Sequence, residues 1–176
     1  TFGWTIGELV RRVSGLSIGE FIAKEIAQPL GSDFYLGLPE ELEPRVATVT
    51  EWLPGPDWVP TPYVAKMVSD PTSVQYVAMA NVIASGVDVN TRAFRVAEMG
   101  GMGGHASARG LAALYTPFAL GGAGLVSTDA VTRMSQVAVA TSEDALLLVP
   151  TRFGLGFMLS TDNRRRTRSF NHRSIS

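Results

Sequence analysis

The chain of 176 residues contains no cysteine. This absence excludes disulfides, thiolate zinc sites and cysteine nucleophiles from its residues. The only two histidines, His105 and His172, are far apart and belong to no H-E-x-x-H pair. We therefore expect no metal site. The only two lysines, Lys24 and Lys66, limit the positions at which an amine could act as a base.

The sequence also lacks a strong charge of either sign and a long apolar run. A net charge of −1 implies no general attraction to nucleic acid or membranes. No run approaches the ~18 residues of a membrane span, and no basic-then-apolar leader opens the chain. We expect no nucleic-acid partner and no membrane association, and a cytoplasmic location is favoured. The arginine cluster at residues 164–173 is predicted to be a solvated turn.

One glycine-rich stretch has the spacing of a possible dinucleotide-binding motif. Residues 101–106 match the loosest dinucleotide pattern, G-x-G-x-x-A, ahead of a predicted helix. That site also needs a preceding strand and an acidic residue about 20 positions later, within a βαβ unit. Neither is convincing and no P-loop motif is present, so we expect a loop turn and no cofactor.

The first 31 residues contain a G-x-S-x-G pattern centred on Ser17. In a nucleophile elbow, such a serine follows a β-strand. Upstream of Ser17, however, the apolar residues recur at the helical period and Gly15 marks a helix end. Ser17 and Glu20 have capping-box spacing. The pattern predicts two short helices joined by a turn, with Ser17 as a cap rather than a nucleophile.

The remaining sequence predicts a mixed helical and strand organisation. Residues 36–62 are rich in proline, with aromatics that suggest an ordered loop. The apolar periods predict helices over 71–84, 91–99, 107–118 and about 127–137, the first with Pro71 in its first turn and the third capped by Ser107. Alternating bulky residues and glycines predict a strand over 152–159, which could form a hairpin with the run at 169–172.

Three segments together resemble the β-lactamase-related serine hydrolases, and within them the class C-like esterases. They are residues 1–31, residues 90–98 continuing through 105–115, and residues 153–159. The resemblance implies an α/β (α+β) fold, a partial β-lactamase/transpeptidase-like arrangement with a mostly helical region and the start of an antiparallel sheet. Residues 1–176 would form one partial domain, comprising a helix hairpin (1–31), a Pro-rich loop (36–62), a helical region (71–137) and strands (152–176).

The same resemblance implies covalent catalysis through an acyl-enzyme. Members use an S-x-x-K serine and lysine, a tyrosine, and a K-x-G or H-x-G strand motif. Three positions before Lys24 and Lys66 stand Phe21 and Tyr63 rather than serine. The family tyrosine would precede Thr1. We therefore expect this chain to lack the nucleophile and to be inactive alone.

Three residues remain as site candidates by resemblance. His172 matches the histidine of H-x-G, although Arg173-Ser174 follows in place of x-Gly. Gly104 and His105 align with a cleft segment that commonly reads Asn-Gly-His in the esterases, with Gly103 in place of the asparagine. They are the substrate-binding candidates, for a small acyl ester or amide. An exposed loop histidine is an equally open interpretation of His105.

Two alternatives to a hydrolase fragment stay open. The chain could be a non-catalytic binding module derived from the fold, or an unrelated hydrolase that uses Ser17. An incomplete sheet would leave apolar faces uncovered, so we also expect self-association or a partner that covers them.

Overall fold

The computed structural model describes residues 2–161, except for the side chains of residues 81 and 83. They belong to two compact units. The first is Thr1–Trp52 with Val87–Pro117, and the second is Leu53–Gly86 with Phe118–Ser176. Among the described residues, no helix has the length and apolar character needed to cross a membrane. The predicted mixture of helices and short antiparallel strands is confirmed.

A helix hairpin opens the first unit, as predicted. Helix α1 is Phe2–Ser14, helix α2 is Ile18–Ile22, and a turn of π-helix continues α2 over Ala23–Ala27. Gly15, with φ +76°, ends α1 in the left-handed conformation that glycine adopts without a steric penalty. The α1 backbone packs closely elsewhere, since a Cβ at Gly3 would lie 2.6 Å from the Gly101 nitrogen.

Two short strands carry the rest of the first unit. Strand β1 (Phe34–Leu36) pairs antiparallel with β2 (Gly104–Ala106), and a 3₁₀ helix (Glu40–Arg45) and helix α5 (Arg92–Val96) lie between them in the chain. Helix α6 (Ala108–Ala119) follows β2. The predicted Ser107 cap is confirmed, because its Oγ accepts the Gly110 amide at 3.0 Å. The buried apolar residues of this unit include Ala27, Leu36, Leu38 and Phe94.

The second unit contains helices α3 (Pro62–Ser69), α4 (Val74–Ala84) and α7 (Thr128–Ser135). Its strands β3 (Val139–Thr141) and β4 (Thr151–Phe153) pair antiparallel. Gln75 is only 2% exposed, and its Nε2 donates to the Ala145 and Leu146 carbonyls at 2.8 and 2.9 Å. This amide therefore fastens α4 to the loop between β3 and β4.

The predicted strand over 152–159 is wrong beyond its first residues. Strand β4 ends at Phe153, and only an isolated bridge links Phe153 to Met158. The intervening glycines form a turn, with Gly156 at φ +85° and the Gly154 amide donating to the Phe157 carbonyl at 2.9 Å. Leu155 is consequently 58% exposed rather than buried. The proposed partner run at 169–172 lies outside the described residues.

The start of helix α4 also differs from its prediction. Pro71 lies in a turn before the helix, and Ser73 caps it by accepting the Tyr76 amide at 3.1 Å. Ser127 caps α7, since its Oγ accepts the Ala130 amide at 3.1 Å. The region 91–99 is helical only over α5. Residues 36–62 are mainly loop, with the 3₁₀ helix as an unpredicted element.

Candidate functional site

The two short strands of the first unit bring a tyrosine and a histidine together. The β1–β2 register pairs Tyr35 with His105 and Leu36 with Gly104. Neighbouring Cβ atoms of directly opposed residues lie on the same sheet face. His105 is half-buried, and its Nδ1 lies 3.0 Å from the Gly103 carbonyl oxygen. Sequence reasoning missed Tyr35 because a strand of three residues has no readable period.

The backbone at the two preceding glycines is tightly surrounded. A Cβ at Gly103 would lie 3.1 Å from the carbonyl oxygens of Ala97 and Met99, and Gly103 is buried. At Gly104 a Cβ would approach the Phe34 ring to 2.9 Å. An asparagine at position 103, as in the resembling esterases, would need its neighbours to shift in this backbone.

A cavity of about 530 Å³ opens beside these residues. Gly104 and His105, the two predicted substrate-binding residues, both line it. Its volume falls in the range of small-molecule sites, roughly 300–1,000 Å³. The lining is mostly apolar, and the apolar residues are Leu38, Leu42, Val46, Ala47, Val49, Val89, Phe94, Met102 and Ala106.

One polar wall of the cavity is a hydrogen-bonded chain of three side chains. The Tyr35 hydroxyl donates to Asp33 Oδ1 at 3.0 Å, and Arg45 donates to Asp33 Oδ2 at 2.5 Å. The Arg45 bond, then the Tyr35 bond, lowers the pKa of Asp33. The hydrogen bond to the Asp33 carboxylate raises the pKa of Tyr35. This arrangement keeps Asp33 ionised and Tyr35 a hydrogen-bond donor at neutral pH.

A second ion-paired group, centred on Glu43, adjoins the cavity through the lining residue Arg95. The two carboxylate oxygens of Glu43 accept from Arg92 at 2.8 Å and from Arg95 at 2.5 Å. These bonds, the Arg95 bond first, lower the pKa of Glu43. Arg95 lines the cavity with its side chain only 13% exposed, and its Nε has no hydrogen-bond partner among the described residues. One carboxylate is thus shared between two guanidinium groups.

Ser17 has the predicted structural role. It follows helix α1 rather than a strand, its Oγ accepts the Glu20 amide at 3.1 Å, and Glu20 Oε2 accepts the Ser17 amide at 2.8 Å. The capping box is therefore confirmed. What sequence reasoning missed is Glu98, whose carboxylate also binds the Ser17 hydroxyl.

Neither lysine is among the residues that line the cavity. Lys24 lies in the π-helical turn, where it pairs with Glu25 at 3.5 Å. Lys66 on α3 pairs with Asp70 at 2.7 Å. His172 lies outside the described residues. Within residues 2–161, no group of three or more histidine, aspartate or glutamate side chains is placed to hold a metal ion.

The fold defines a class of protein. The family model described as Beta-lactamase matches residues 1–174. The chain therefore belongs to the beta-lactamase family, and the predicted partial β-lactamase/transpeptidase-like fold is confirmed. Comparison with curated proteins found no match.

Three solved structures are similar to this chain in sequence and fold. EstA from Arthrobacter nitroguajacolicus Rue61a is 30% identical over 92% of this chain and 42% of its own, with a TM-score of 0.70. A penicillin-binding protein homolog from Caulobacter crescentus is 25% identical over 92% and 41%, with a TM-score of 0.67. A family VIII carboxylesterase is 29% identical over 89% and 40%, with a TM-score of 0.64. The chain thus spans about two fifths of each of these structures.

Proposed function

We propose that this chain supplies a substrate-binding wall of a serine hydrolase that cleaves esters or amides through an acyl-enzyme. The observation that carries the proposal is the cavity lined by Gly104 and His105 in a chain of the beta-lactamase family. A carboxylesterase among the similar structures favours an ester over a β-lactam as the substrate. Self-association or a covering partner remains part of the proposal.

In this proposal the residues of the cavity bind the acyl substrate, and none of them is the nucleophile. A serine needs a neighbouring base before it attacks a carbonyl carbon. The Ser17 hydroxyl is instead hydrogen-bonded to the Glu98 carboxylate and accepts the Glu20 amide. His105 and the Tyr35 hydroxyl stand at or beside the cavity, where each can position a polar group of the acyl substrate.

A chimera tests the proposal. This chain would replace the matching 40% of the family VIII carboxylesterase, which keeps the rest of that enzyme in place. We expect the chimera to hydrolyse p-nitrophenyl butyrate and to lose most of that activity on His105→Ala. His105→Gln, which keeps a polar side chain, is the matched variant. A folded chimera that binds the ester without turnover would instead support the non-catalytic binding module.

The chain by itself tests the role of Ser17. We expect neither hydrolysis of p-nitrophenyl butyrate nor labelling by a fluorophosphonate, with intact mass as the readout. Labelling that disappears in Ser17→Ala would contradict the proposed division of roles. It would instead favour the unrelated hydrolase in which Ser17 is the nucleophile.

A further inference from the structure

The hydrogen bond of His105 determines which of its ring nitrogens carries the proton. His105 Nδ1 lies 3.0 Å from the Gly103 carbonyl oxygen, and a carbonyl oxygen can only accept a hydrogen bond. Nδ1 must therefore carry a proton and donate it. Because the bond made by one ring nitrogen fixes the state of the other, Nε2 of the neutral imidazole is an acceptor.

The tyrosine paired with His105 across the two strands has also committed its proton. The Tyr35 hydroxyl donates to Asp33 Oδ1 at 3.0 Å, and an ionised carboxylate can only accept. A phenol has a single proton, so Tyr35 cannot donate to a bound molecule without breaking this bond. Neither Tyr35 nor neutral His105 therefore has a proton to offer in the cavity that both of them line.

The second ring nitrogen of His105 is open to a ligand. Within residues 2–161, the hydrogen bond found for the His105 ring is the one from Nδ1. Nε2 is not buried either, since the buried side-chain nitrogen or oxygen that lacks a partner in this part of the chain is Arg95 Nε. Because His105 lines the cavity, a molecule bound there can reach this nitrogen.

The carbonyl group that orients the imidazole is held firmly in place. Gly103 is buried, and its amide donates to the Met99 carbonyl at 2.8 Å. The turn that contains both residues begins beside Glu98, whose carboxylate accepts the Ser17 hydroxyl and the Gly19 amide, each at 2.8 Å. The protonation of the His105 ring is therefore set by the fold, whereas a histidine without such a bond populates both neutral forms.

The rest of the lining favours a neutral ligand. The charged residues that line the cavity are already ion-paired, Arg45 with Asp33 and Arg95 with Glu43. No unmatched charge is left there to offset the cost of taking a charged ligand out of water. Most other lining residues are apolar, which suits an apolar body on the ligand.

We propose that this cavity recognises a neutral hydrogen-bond donor, an alcohol hydroxyl or an amide N–H, and that His105 Nε2 is the acceptor that selects it. The inference rests on the proposed function, since it takes the cavity as the substrate site. It adds that His105 binds a donor group of the substrate rather than the ester carbonyl oxygen, which has no proton to donate.

The protonation of the imidazole can be tested without any ligand. We would label the histidines of the 176-residue chain with ¹⁵N and record long-range ¹H–¹⁵N NMR correlations in mildly alkaline buffer. His172→Gln identifies which of the two sets of signals belongs to His105. We expect the proton on Nδ1 and none on Nε2. A His105 ring that carries its proton on Nε2 would overturn the inference.

A matched pair of ligands tests the selection of a donor. Benzyl alcohol donates a hydrogen bond, whereas benzyl methyl ether has a similar apolar body and only accepts. The shift of the ¹³C-labelled Met102 methyl signal gives the affinity, because Met102 lines the cavity, and Met158 in the second unit is the reference. We expect the ether to bind about fivefold more weakly, the equivalent of one net hydrogen bond. Equal affinities, or no saturable Met102 shift with the alcohol, would contradict the proposal.

Two variants assign the preference to Nε2. His105→Asn keeps an amide near the position of Nδ1 and has nothing at Nε2, so it should bind the alcohol and the ether equally. His105→Gln places an amide near Nε2 and should keep part of the preference. An undiminished preference in a folded His105→Asn variant would exclude Nε2 as the acceptor. None of these measurements involves hydrolysis, so an inactive chimera would count against the acyl-enzyme proposal alone.

Discussion

The Ser17 hydroxyl donates to Glu98 Oε1 at 2.8 Å across 81 positions of sequence. The other oxygen of Glu98 accepts the Gly19 amide at 2.8 Å. Because the Ser17 oxygen also accepts the Glu20 amide, one side chain both caps α2 and joins it to the segment after α5. The serine of the G-x-S-x-G pattern is thus part of a tertiary hydrogen-bond network.

Loss of this hydroxyl is expected to cost stability rather than activity. Ser17→Ala removes a helix cap, which is worth ~1 kcal/mol, and the hydrogen bond to a charged partner adds to that loss. We expect the free energy of unfolding to fall by about 1–3 kcal/mol in urea denaturation. Ser17→Thr keeps a hydroxyl and should recover most of the loss. Equal stability of Ser17→Ala and the unmodified chain would contradict the network.

A glycine next to this network is expected to be intolerant of substitution. A Cβ at Gly19 would lie 2.2 Å from the Leu36 carbonyl oxygen and 2.7 Å from Glu98 Cδ. Since backbone must move to admit the methyl group, Gly19→Ala should destabilise the chain by about 1–3 kcal/mol or more. The matched control is Gly101→Ala in the same unit, where no atom lies within 4 Å. Similar urea midpoints for the two variants would refute the packing argument.

The helix hairpin could be predicted because its determinants are local. The apolar period of α1, the glycine after it and the Ser17–Glu20 spacing all act within a few residues. The same holds for the caps at Ser107 and Ser127, each of which accepts an amide three residues later. In these segments the local preference and the tertiary structure agree.

The cavity could be predicted only in part, since its walls depend on distant contacts. Gly104 and His105 were found by resemblance, but Tyr35, Asp33 and Arg45 were not. Strands β1 and β2 have three residues each, too short for an alternating pattern, and they pair across about 70 residues of sequence. The strand predicted over 152–159 failed for a different reason. Its glycines form a turn that the alternation of bulky residues concealed.

The ion pairs of Glu43 are expected to make stability depend on pH. Its pKa lies below the ordinary value of 4.5 in the folded chain, chiefly because Arg95 and then Arg92 bind the carboxylate. The stabilisation is therefore present above 4.5 and is lost as the pH falls through the folded pKa. Glu43→Gln should be less stable than the unmodified chain at neutral pH, and the difference should shrink on acidification. Urea denaturation of both chains, from neutral pH to below the Glu43 pKa, measures this difference in stability. A difference that does not change with pH would contradict the stabilising role of the ion pairs.

Titration of Tyr35 offers a direct test of the polar wall of the cavity. Its hydrogen bond to Asp33 raises the Tyr35 pKa above the ordinary 10.0, because removing the phenol proton would place two anions side by side. We expect Asp33→Asn to lower that pKa, as followed by ultraviolet absorbance, with Tyr35→Phe identifying the signal among the four tyrosines. Arg45→Ala should change it in the opposite direction, since the guanidinium lowers the Tyr35 pKa. If the Tyr35 pKa shifts in the same direction in Asp33→Asn and Arg45→Ala, a change of local structure rather than of charge would determine that pKa.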